Sequence, residues 1–204
     1  MSPRRYNSPG RDAAAAQTRE RIIAAAAGIL GTADGIHDFS LEAVAKAAGV
    51  TRLTVYNQFG SRRAVLEAVF DQVAMRGGLH RLAEAVALAD PHAALRQVIA
   101  IFCEFWSFDP GALGLLHAAG TSNQEFAASV TERNERRRRL FAMIVQRMAL
   151  QPRAQRDLVD VLFALTSFPF FAQLMTEGRS ATAAGRMIQE LASDAVRRAR
   201  GAEG

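Results

Sequence analysis

Apolar residues recur at helical spacing along most of this chain. A first helix is predicted from residues that share one face at i, i+3 and i+4 spacing, namely Ile22, Ile23, Ala26, Ile29 and Leu30. Gly31 and Gly35 end this helix, and a second amphipathic helix follows from Leu41 to Ala48. Runs of alternating Val, Ile and Thr, which are typical of strands, are missing from the sequence. The pattern therefore predicts an all-α protein.

Two short helices are predicted to be joined by a tight turn. Ser40 precedes the second helix and Thr51 precedes a third, and each hydroxyl is suited to capping the helix that follows it. Gly49 ends the second helix, so about three residues separate the two helices. This spacing is typical of a helix-turn-helix.

The third helix carries polar side chains on the side opposite to its apolar one. With 3.6 residues per turn, Val55 and Phe59 lie on one side, and Leu53, Thr54 and Asn57 lie on the other. A helix that merely faces solvent is better served by Glu, Lys or Ala, which are stronger helix formers than Thr or Asn. We therefore expect a partner to cover this face, and its chemistry suits a DNA groove.

The residue types of this segment match the groups that DNA offers. Arg52 suits O6 and N7 of guanine, and Asn57 suits an adenine edge. Leu53 and the methyl group of Thr54 suit a thymine methyl group. Phosphate oxygens are the expected partners of a further set, which comprises Ser40, Thr51, Tyr56, Gln58 and Arg62.

Positive charge is concentrated in the first third of the chain. Residues 1–63 contain nine Lys or Arg and five acidic residues. The rest of the chain contains sixteen Lys or Arg and fifteen acidic residues. This excess suits a module that binds a polyanion, although an ordinary solvated surface explains it equally well. Residues 1–16 mix Pro, Gly, Ser and Arg without apolar periodicity, so we predict a flexible basic tail.

The segment from Gln17 to Phe70 resembles the N-terminal domain of TetR-family transcriptional repressors. The resemblance lies within LEAVAKAAGVTRLTVYNQFGSRRAVLEAVF, and the residues that carry it are Ala45, Ala48, Gly49, Val50, Thr54, Tyr56, Phe59, Ser61 and Leu66. It implies a three-helix DNA-binding domain over residues 17–65 and a helical effector-binding and dimerisation domain over residues 66–204. It also implies a homodimer that binds a palindromic operator in double-stranded DNA. Leu53, Gln58 and Arg62-Arg63 depart from the family pattern, so no relative's operator sequence can be transferred to this chain.

Proline and cap residues predict the helices of the second part. Asp90-Pro91 and Asp109-Pro110 open helices of about 91–108 and 110–119. The remaining predicted helices run from Ser122 to about Leu150, from about 154 to 176 with a kink at Pro169, and from about 181 to 200. A helical bundle is the expected result.

Aromatic side chains are frequent in this second part. We expect them to line a cavity for a small, largely apolar effector, and the candidates are Phe102, Phe105, Trp106, His117, Phe126, Phe141 and Phe171. Core packing explains each aromatic residue equally well, and a histidine on such a mixed helix is more often a packing residue than a ligand. The run from Arg136 to Arg139 lies beside Glu132 and Glu135, so we predict a solvated charged face.

The last two helices carry more apolar residues than one amphipathic face requires. In the TetR family the corresponding pair of helices forms a four-helix bundle with its twofold mate. By this resemblance the candidates for a dimer interface are Leu158, Val161, Leu162, Leu165, Met187 and Leu191.

Other classes of protein find less support in the sequence. Cys103 is the only cysteine, which excludes an intramolecular disulfide and a cysteine-clustered metal site. We see no signal peptide and no uninterrupted apolar span, so we expect a cytoplasmic protein that does not enter a membrane. An all-helical enzyme would have to use Cys103 or His117 with Glu104 or Glu125, but no nucleophile motif, metal-ligand spacing or glycine-rich phosphate loop accompanies them. A scaffold for acidic partners explains the charge but not the third helix, and we expect no cofactor and no metal.

Overall fold

The computed structural model describes residues 9–32, 35–122, 124–175 and 178–201. Within these ranges the chain forms α-helices, short 3-10 turns and loops, and it contains no β-strand. The all-α prediction is therefore confirmed.

The chain divides into two compact units, Met1–Gln72 and Val73–Gly204. The described part of the first unit contains α1 (Pro9–Leu30), α2 (Gly35–Asp38), α3 (Leu41–Ala48), α4 (Arg52–Phe59) and most of α5 (Arg62–Arg76). The division falls within α5, seven residues after the boundary expected from the sequence. The core of the first unit is built from apolar residues of its longer helices, among them Ile22, Ala26, Val44, Val55, Val65 and Leu66, all of which are completely buried.

The start of α1 differs from the sequence prediction. The helix begins at Pro9, so the prediction of a flexible tail over residues 1–16 is wrong for residues 9–16. The reason is that Ala13 to Ala16 are the strongest helix formers and extend the helix without contributing an apolar face. Asp12 in the first turn also interacts favourably with the helix dipole. Residues 1–8 of that predicted tail lie outside the described residues.

Side-chain caps begin α3 and α4 as the sequence predicts. Ser40 Oγ accepts a hydrogen bond from the Ala43 N–H at 3.1 Å, and Thr51 Oγ1 accepts one from the Thr54 N–H at 3.1 Å. Gly49 ends α3 in the left-handed region, with φ of 65°. These contacts confirm the predicted helix-turn-helix and fix the length of its turn.

The second unit is a helical bundle. Its helices are α6 (Leu82–Val86), α7 (Pro91–Phe108), α8 (Pro110–Ser122), α9 (Gln124–Val145), α10 (Pro152–Leu165), α11 (Phe168–Leu174) and α12 (Ala181–Gly201). Helix α10 packs against α9 and α12, and α7 also packs against both of these helices. Their shared core contains buried apolar residues, among them Val98, Ile101, Phe102, Phe141, Ile144, Leu162, Phe171 and Ile188. The predicted bundle is confirmed, but α6 and the 3-10 turn Leu79–Arg81 before it were not predicted.

The helix expected over residues 154–176 is broken into α10 and α11. Helix α10 ends at Leu165, and Ser167 Oγ caps α11 by accepting a hydrogen bond from the Phe170 N–H at 3.3 Å. Pro169 occupies the first turn of α11, where a helix does not need the missing N–H. The predicted kink is therefore wrong, because this proline opens a new helix after the break.

Two breaks between successive helices produce large bends. The axes differ by 56° between α10 and α11 and by 95° between α7 and α8. No single helix in the described ranges is long and apolar enough to cross a bilayer. The required length and apolarity are reached only when the two helices of each bent pair are counted together.

Close packing of α8 on α9 depends on Gly120. A Cβ atom at this position would lie 2.4 Å from Cγ2 of Val130, whose β-branched side chain has little freedom in a helix. Gly185 in α12 provides a contrast, because a Cβ atom there would meet Cβ of Cys103 at 3.5 Å, an ordinary van der Waals distance.

We expect Gly120→Ala to lower the free energy of unfolding by about 1–3 kcal/mol, because the added methyl group overpacks the α8–α9 contact. Gly185→Ala is the matched control, and we expect it to leave stability unchanged or to raise it by up to about 1 kcal/mol through helix propensity. Urea unfolding followed by circular dichroism measures both variants. Equal stability of the two variants would contradict the close approach.

Candidate functional site

Helix α4 exposes a continuous set of side chains suited to nucleic acid. Val55 is completely buried and holds the helix on its unit, whereas Leu53 keeps 65% and Tyr56 keeps 56% of its surface exposed. Arg52 and Asn57 are also exposed, and Thr54, Gln58 and Phe59 are half-buried. The exposed side of α4 thus combines apolar surface with hydrogen-bonding groups, which is the combination that base edges and thymine methyl groups require.

The N-terminal end of α4 is held by two hydroxyl groups. Thr51 Oγ1 caps the Thr54 N–H, and the hydroxyl oxygens of Thr51 and Thr54 lie 2.8 Å apart. The Thr51 hydroxyl, which was expected to bind phosphate, is therefore engaged in the cap, and so is the hydroxyl of Thr54, whose methyl group was expected to contact thymine. Ser40 is placed similarly at the start of α3. The two helix N-termini bring backbone N–H groups close to the surface, where they favour anions such as phosphate.

Arg52 makes an ion pair that leaves it available to a ligand. Its Nε atom lies 3.7 Å from Oε2 of Glu42 in α3, and both side chains are largely exposed. Ion pairs in such solvated positions contribute little to stability. A base edge can therefore replace Glu42 without breaking a strong interaction.

Arg62 and Arg63 begin α5 and contact other residues of the first unit. The Arg62 guanidinium lies over the ring of Phe39 at 5.6 Å from its centroid, and Phe39 belongs to the core. Arg63 Nε lies 3.7 Å from Oε1 of Glu67, one helical turn away. Arg62, which the sequence predicts to bind phosphate, thus also packs against the core.

Arg19 holds the C-terminal end of α4, a role that sequence reasoning missed. Its guanidinium lies 4.2 Å from the centroid of the Phe59 ring, and its Nη1 atom donates to the Gln58 carbonyl oxygen at 3.1 Å. The last carbonyl groups of a helix lack partners and carry its negative dipole end, so a cation there is favourable. A sequence signal exists in hindsight, because Arg19 precedes the buried Ile22 and Ile23 by one helical turn.

The predicted effector residues form a core rather than the lining of an open cavity. Phe102, Phe105, Phe126, Phe141 and Phe171 are at most 6% exposed, and Trp106 and His117 are half-buried. Ring contacts link Trp106 to Phe105 at 4.7 Å and to Phe168 at 5.5 Å, and Phe168 also contacts His117 at 5.8 Å. Phe102 contacts Trp106 at 6.3 Å and Phe141 at 6.1 Å. Phe168, which joins these rings, was not among the predicted effector residues.

An open groove of about 220 Å³ lies elsewhere in the second unit, between α7 and α12. It is lined by apolar and basic residues that include Leu95, Ile99, Val196, Arg96, Arg197 and Arg200. None of the seven predicted effector residues lines this groove.

The predicted dimer residues fall into two groups. Leu158 and Leu162 are only 2% and 0% exposed, because α10 packs between α9 and α12, so their assignment to an interface with another chain is wrong. Val161 and Leu191 are 42% and 40% exposed. Leu165 and Met187 are half-buried. The latter four residues are available to a partner.

One residue of the arginine run is buried, contrary to the predicted solvated face. Arg136 pairs with Glu132 at 2.5 Å, and Arg138 pairs with Asp160. Arg137 is only 7% exposed. The physical reason is helical periodicity, since Arg137 precedes Phe141 by four residues and shares the apolar stripe of α9 with it. The prediction of a solvated face is therefore wrong for Arg137.

Two of the residues considered for an enzyme, Cys103 and Glu104, are poorly suited to catalysis, and the side chain of Glu125 lies outside the described residues. Cys103 is 7% exposed, and burial raises the pKa of its thiol to about 12, so the nucleophilic thiolate is scarce at neutral pH. Glu104 pairs with Arg81. In the described part of the chain, no three His, Cys, Asp or Glu side chains are grouped so that they could hold a metal ion.

Comparison with known proteins gives matches to regulators. A model of the family described as bacterial regulatory proteins, tetR family, matches residues 22–69. The uncharacterized HTH-type transcriptional regulator TtgW of Pseudomonas putida is 46% identical over 57 residues, which cover 28% of this chain. This chain thus matches 42% of the length of that relative.

Solved structures match over most of the chain. A TetR-like transcriptional regulator from Rhodococcus sp. RHA1 is 20% identical with a TM-score of 0.62, and the match covers 88% of this chain and 95% of that one. The multidrug binding protein EbrR complexed with imidazole is 23% identical with a TM-score of 0.55, and the match covers 85% of this chain and 93% of that one. A putative transcriptional regulator from Saccharomonospora viridis in complex with choline is 17% identical with a TM-score of 0.59, and the match covers 88% of this chain and 95% of that one. At these identities the similarity shows a shared fold.

The geometry of α3 and α4 and the matches to regulators agree with each other. The family match and the relative with 46% identity are both to regulators, and the family match covers the whole helix-turn-helix. Residues 22–69, which include the whole helix-turn-helix, therefore resemble the DNA-binding part of bacterial regulatory proteins of the tetR family.

Proposed function

We propose that this protein is a cytoplasmic, homodimeric repressor that binds a palindromic operator and is released from it by a small, largely apolar effector. The observation that carries the proposal is the exposed side of α4, where Leu53 and Tyr56 remain more than half exposed beside hydrogen-bonding side chains. The proposed DNA-binding set is Ser40, Thr51, Arg52, Leu53, Thr54, Tyr56, Asn57, Gln58 and Arg62.

The exposed residues of α4 are assigned to base reading. Arg52 is proposed to donate two hydrogen bonds to guanine, Asn57 to pair with adenine, and Leu53 to contact a thymine methyl group. A bidentate contact of this kind contributes about 1–3 kcal/mol of discrimination between bases. The hydroxyl and amide groups around α4, together with Arg62, are assigned to phosphates, which orient the helix without reading sequence.

The effector part of the proposal rests on the second unit. Its aromatic cluster, built around Phe102, Trp106 and Phe168, is largely apolar, and Trp106 and Phe168 are only half-buried. Two proteins of the same fold are described in complex with choline and with imidazole, so this fold can hold small molecules. An effector shifts the protein between DNA-binding and released states only by its difference in affinity for them.

The dimer part of the proposal rests on exposed apolar residues of α10 and α12. These two helices pack on each other, and Val161 and Leu191 keep about two-fifths of their surface exposed. We assign both residues, with the half-buried Leu165 and Met187, to a twofold interface. A twofold interface uses the same patch on both subunits, so a palindromic DNA site matches its symmetry.

Selection of bound sequences from a random pool of double-stranded DNA tests the function. We expect the natural protein to enrich a palindrome. Replacement of both Arg52 and Asn57 by Ala is expected to relax preference at the positions they read, by about 1–3 kcal/mol for each lost contact. Retention of an unchanged base preference by this variant would refute the base-reading assignment, and failure of the natural protein to retain any sequence selectively would refute the function.

Arg19→Ala tests whether the C-terminal anchor of α4 positions the reading helix. We expect the variant to unfold more easily by about 1 kcal/mol, because it loses a hydrogen bond and a cation–π contact. Its affinity for the selected palindrome should fall, while its base preference stays the same.

The control for Arg19 is Arg21→Ala, on the same helix. The Arg21 side chain is exposed and forms no hydrogen bond or ion pair with the residues that the structure describes. Binding titrations over a range of salt concentrations separate positioning from phosphate contact, because loss of a phosphate contact reduces the salt slope by about one. A reduced slope with unchanged stability in Arg19→Ala would contradict the positioning role.

Val161→Glu combined with Leu191→Glu tests the dimer. Four buried carboxylates in a twofold interface are unfavourable, so we expect the variant to sediment as a monomer and to bind the palindrome at least about tenfold more weakly. Leu88→Glu is the control, because Leu88 is equally exposed at 40% in the loop after α6. Sedimentation of the double variant as a dimer would exclude this interface.

A further inference from the structure

Arg137 is a buried cation in the core of the second unit. Its side chain lies between aromatic rings, with the guanidinium 4.3 Å from the centroid of Phe163 and 6.0 Å from that of Phe102. Its Nη1 atom donates to the Thr166 carbonyl oxygen at 3.0 Å, whereas its buried Nε atom has no acceptor among the described residues. Within the described ranges, Arg137 makes no ion pair with a carboxylate.

This arrangement leaves a positive charge without a counterion in the described part of the chain. Burial, and then the nearby charge of Arg138, lower the pKa of Arg137 to about 10, so the side chain stays protonated at neutral pH. Buried charges in proteins are normally paired, because removal of an ion from water is strongly unfavourable. Aromatic faces and one carbonyl oxygen compensate only part of this cost.

A purely structural role does not account for a guanidinium at this position. The Thr166 carbonyl oxygen already accepts a hydrogen bond from Trp106 Nε1 at 2.9 Å. The carbonyl would therefore stay satisfied if Arg137 were an apolar residue. Replacement of buried charges by apolar residues of similar volume is often stabilising. The contacts within the chain thus explain the position of Arg137 but not its charge.

Ser129 is a second buried polar side chain on α9. It is 1% exposed, and its hydroxyl oxygen has no hydrogen-bond partner among the residues that the structure describes. It lies eight residues before Arg137, which corresponds to about 12 Å along the helix. Both residues belong to the buried side of α9, so unsatisfied polar groups recur along this side.

We propose that Arg137 is the anion anchor of the effector site and that the effector is a small aromatic monocarboxylate. This inference rests on the proposed effector function and narrows the ligand from a largely apolar molecule to one with an apolar body and one negative charge. The carboxylate receives hydrogen bonds from the Nε and Nη atoms of Arg137, a planar fork that matches its geometry. The aromatic body packs against Phe102, Trp106 and Phe163.

The ligand has a route into the site, and once bound it acts on the break between α10 and α11. Trp106 and Phe163 are half-buried, so displacement of their side chains opens the way to Arg137. The Thr166 carbonyl oxygen lies at the break between α10 and α11. A carboxylate that draws the guanidinium away from Thr166 removes a contact between α9 and this break.

Thermal unfolding of the full chain with matched ligands tests the proposal. The probes are benzoate and phenylacetate, with benzamide and phenylacetamide as neutral counterparts of the same shape. We expect the carboxylates to raise the melting temperature of the natural protein, while the amides leave it unchanged. Absence of a shift with both carboxylates, or equal shifts with the amides, would overturn the proposal.

Arg137→Met tests the residue, and Arg138→Met is its control. Arg138 lies over the same Phe163 ring at 4.3 Å, but it pairs with Asp160 and is partly exposed. We expect calorimetric titration with benzoate to show at least about tenfold weaker binding to Arg137→Met and unchanged binding to Arg138→Met. Unchanged binding to Arg137→Met would show that Arg137 is only a packing residue.

Two further measurements complete the test. Arg137→Lys keeps the charge but loses the planar fork, and it is the variant to use if Arg137→Met does not fold. We expect benzoate to bind Arg137→Lys at least about tenfold more weakly than it binds the natural protein. Titration with DNA separates this inference from the function on which it rests. Selective DNA binding without any response to carboxylates would overturn the inference alone, whereas carboxylate binding without selective DNA binding would overturn the proposed repressor and leave the anion site standing.

Discussion

The presentation of α4 depends on the left-handed turn at Gly49. The Val50 N–H donates to the Ala45 carbonyl oxygen at 3.0 Å, and the Gly49 N–H donates to that of Lys46 at 3.3 Å, so the end of α3 is closed by its own backbone. A residue with a Cβ atom is strained at a φ of 65°, which makes glycine the favoured residue here. The turn sends the chain directly into the cap at Thr51. The direction of α4, which we propose as the reading helix, is therefore set by local backbone geometry.

Both ends of α4 are fixed, and this matters for binding. Thr51 caps the first turn, Arg19 binds the last one, and the completely buried Val55 holds the middle. A recognition helix that is already ordered loses less conformational freedom when it binds. The side chains on its exposed surface then contribute more of their contact energy to affinity. The first unit thus combines a rigid backbone with side chains that remain in solvent.

The features that the sequence predicts well are local. The caps at Ser40, Thr51 and Asp90 and the bounds of α7 follow from residues within a few positions of each helix end. Features that depend on distant residues were missed. Leu158 and Val161 look alike in the sequence, yet the packing of α9 and α12 buries the first and leaves the second exposed. The Arg19 contact with Gln58 joins residues 39 positions apart, so the place of Arg19 in α1 does not by itself identify the partner.

Solvation decides what each arginine can do. Arg52 lies in water beside Glu42, so an anion or base that binds it replaces water and a weak ion pair, and geometry rather than charge must supply discrimination. Arg137 has already lost most of its water, so an anion that reaches it compensates a cost that folding has imposed. The proposed carboxylate would consequently gain more from Arg137 than from an exposed arginine. The folding cost of a buried charge thus becomes a source of ligand affinity, which is a physical reason to retain Arg137 in an otherwise apolar stripe.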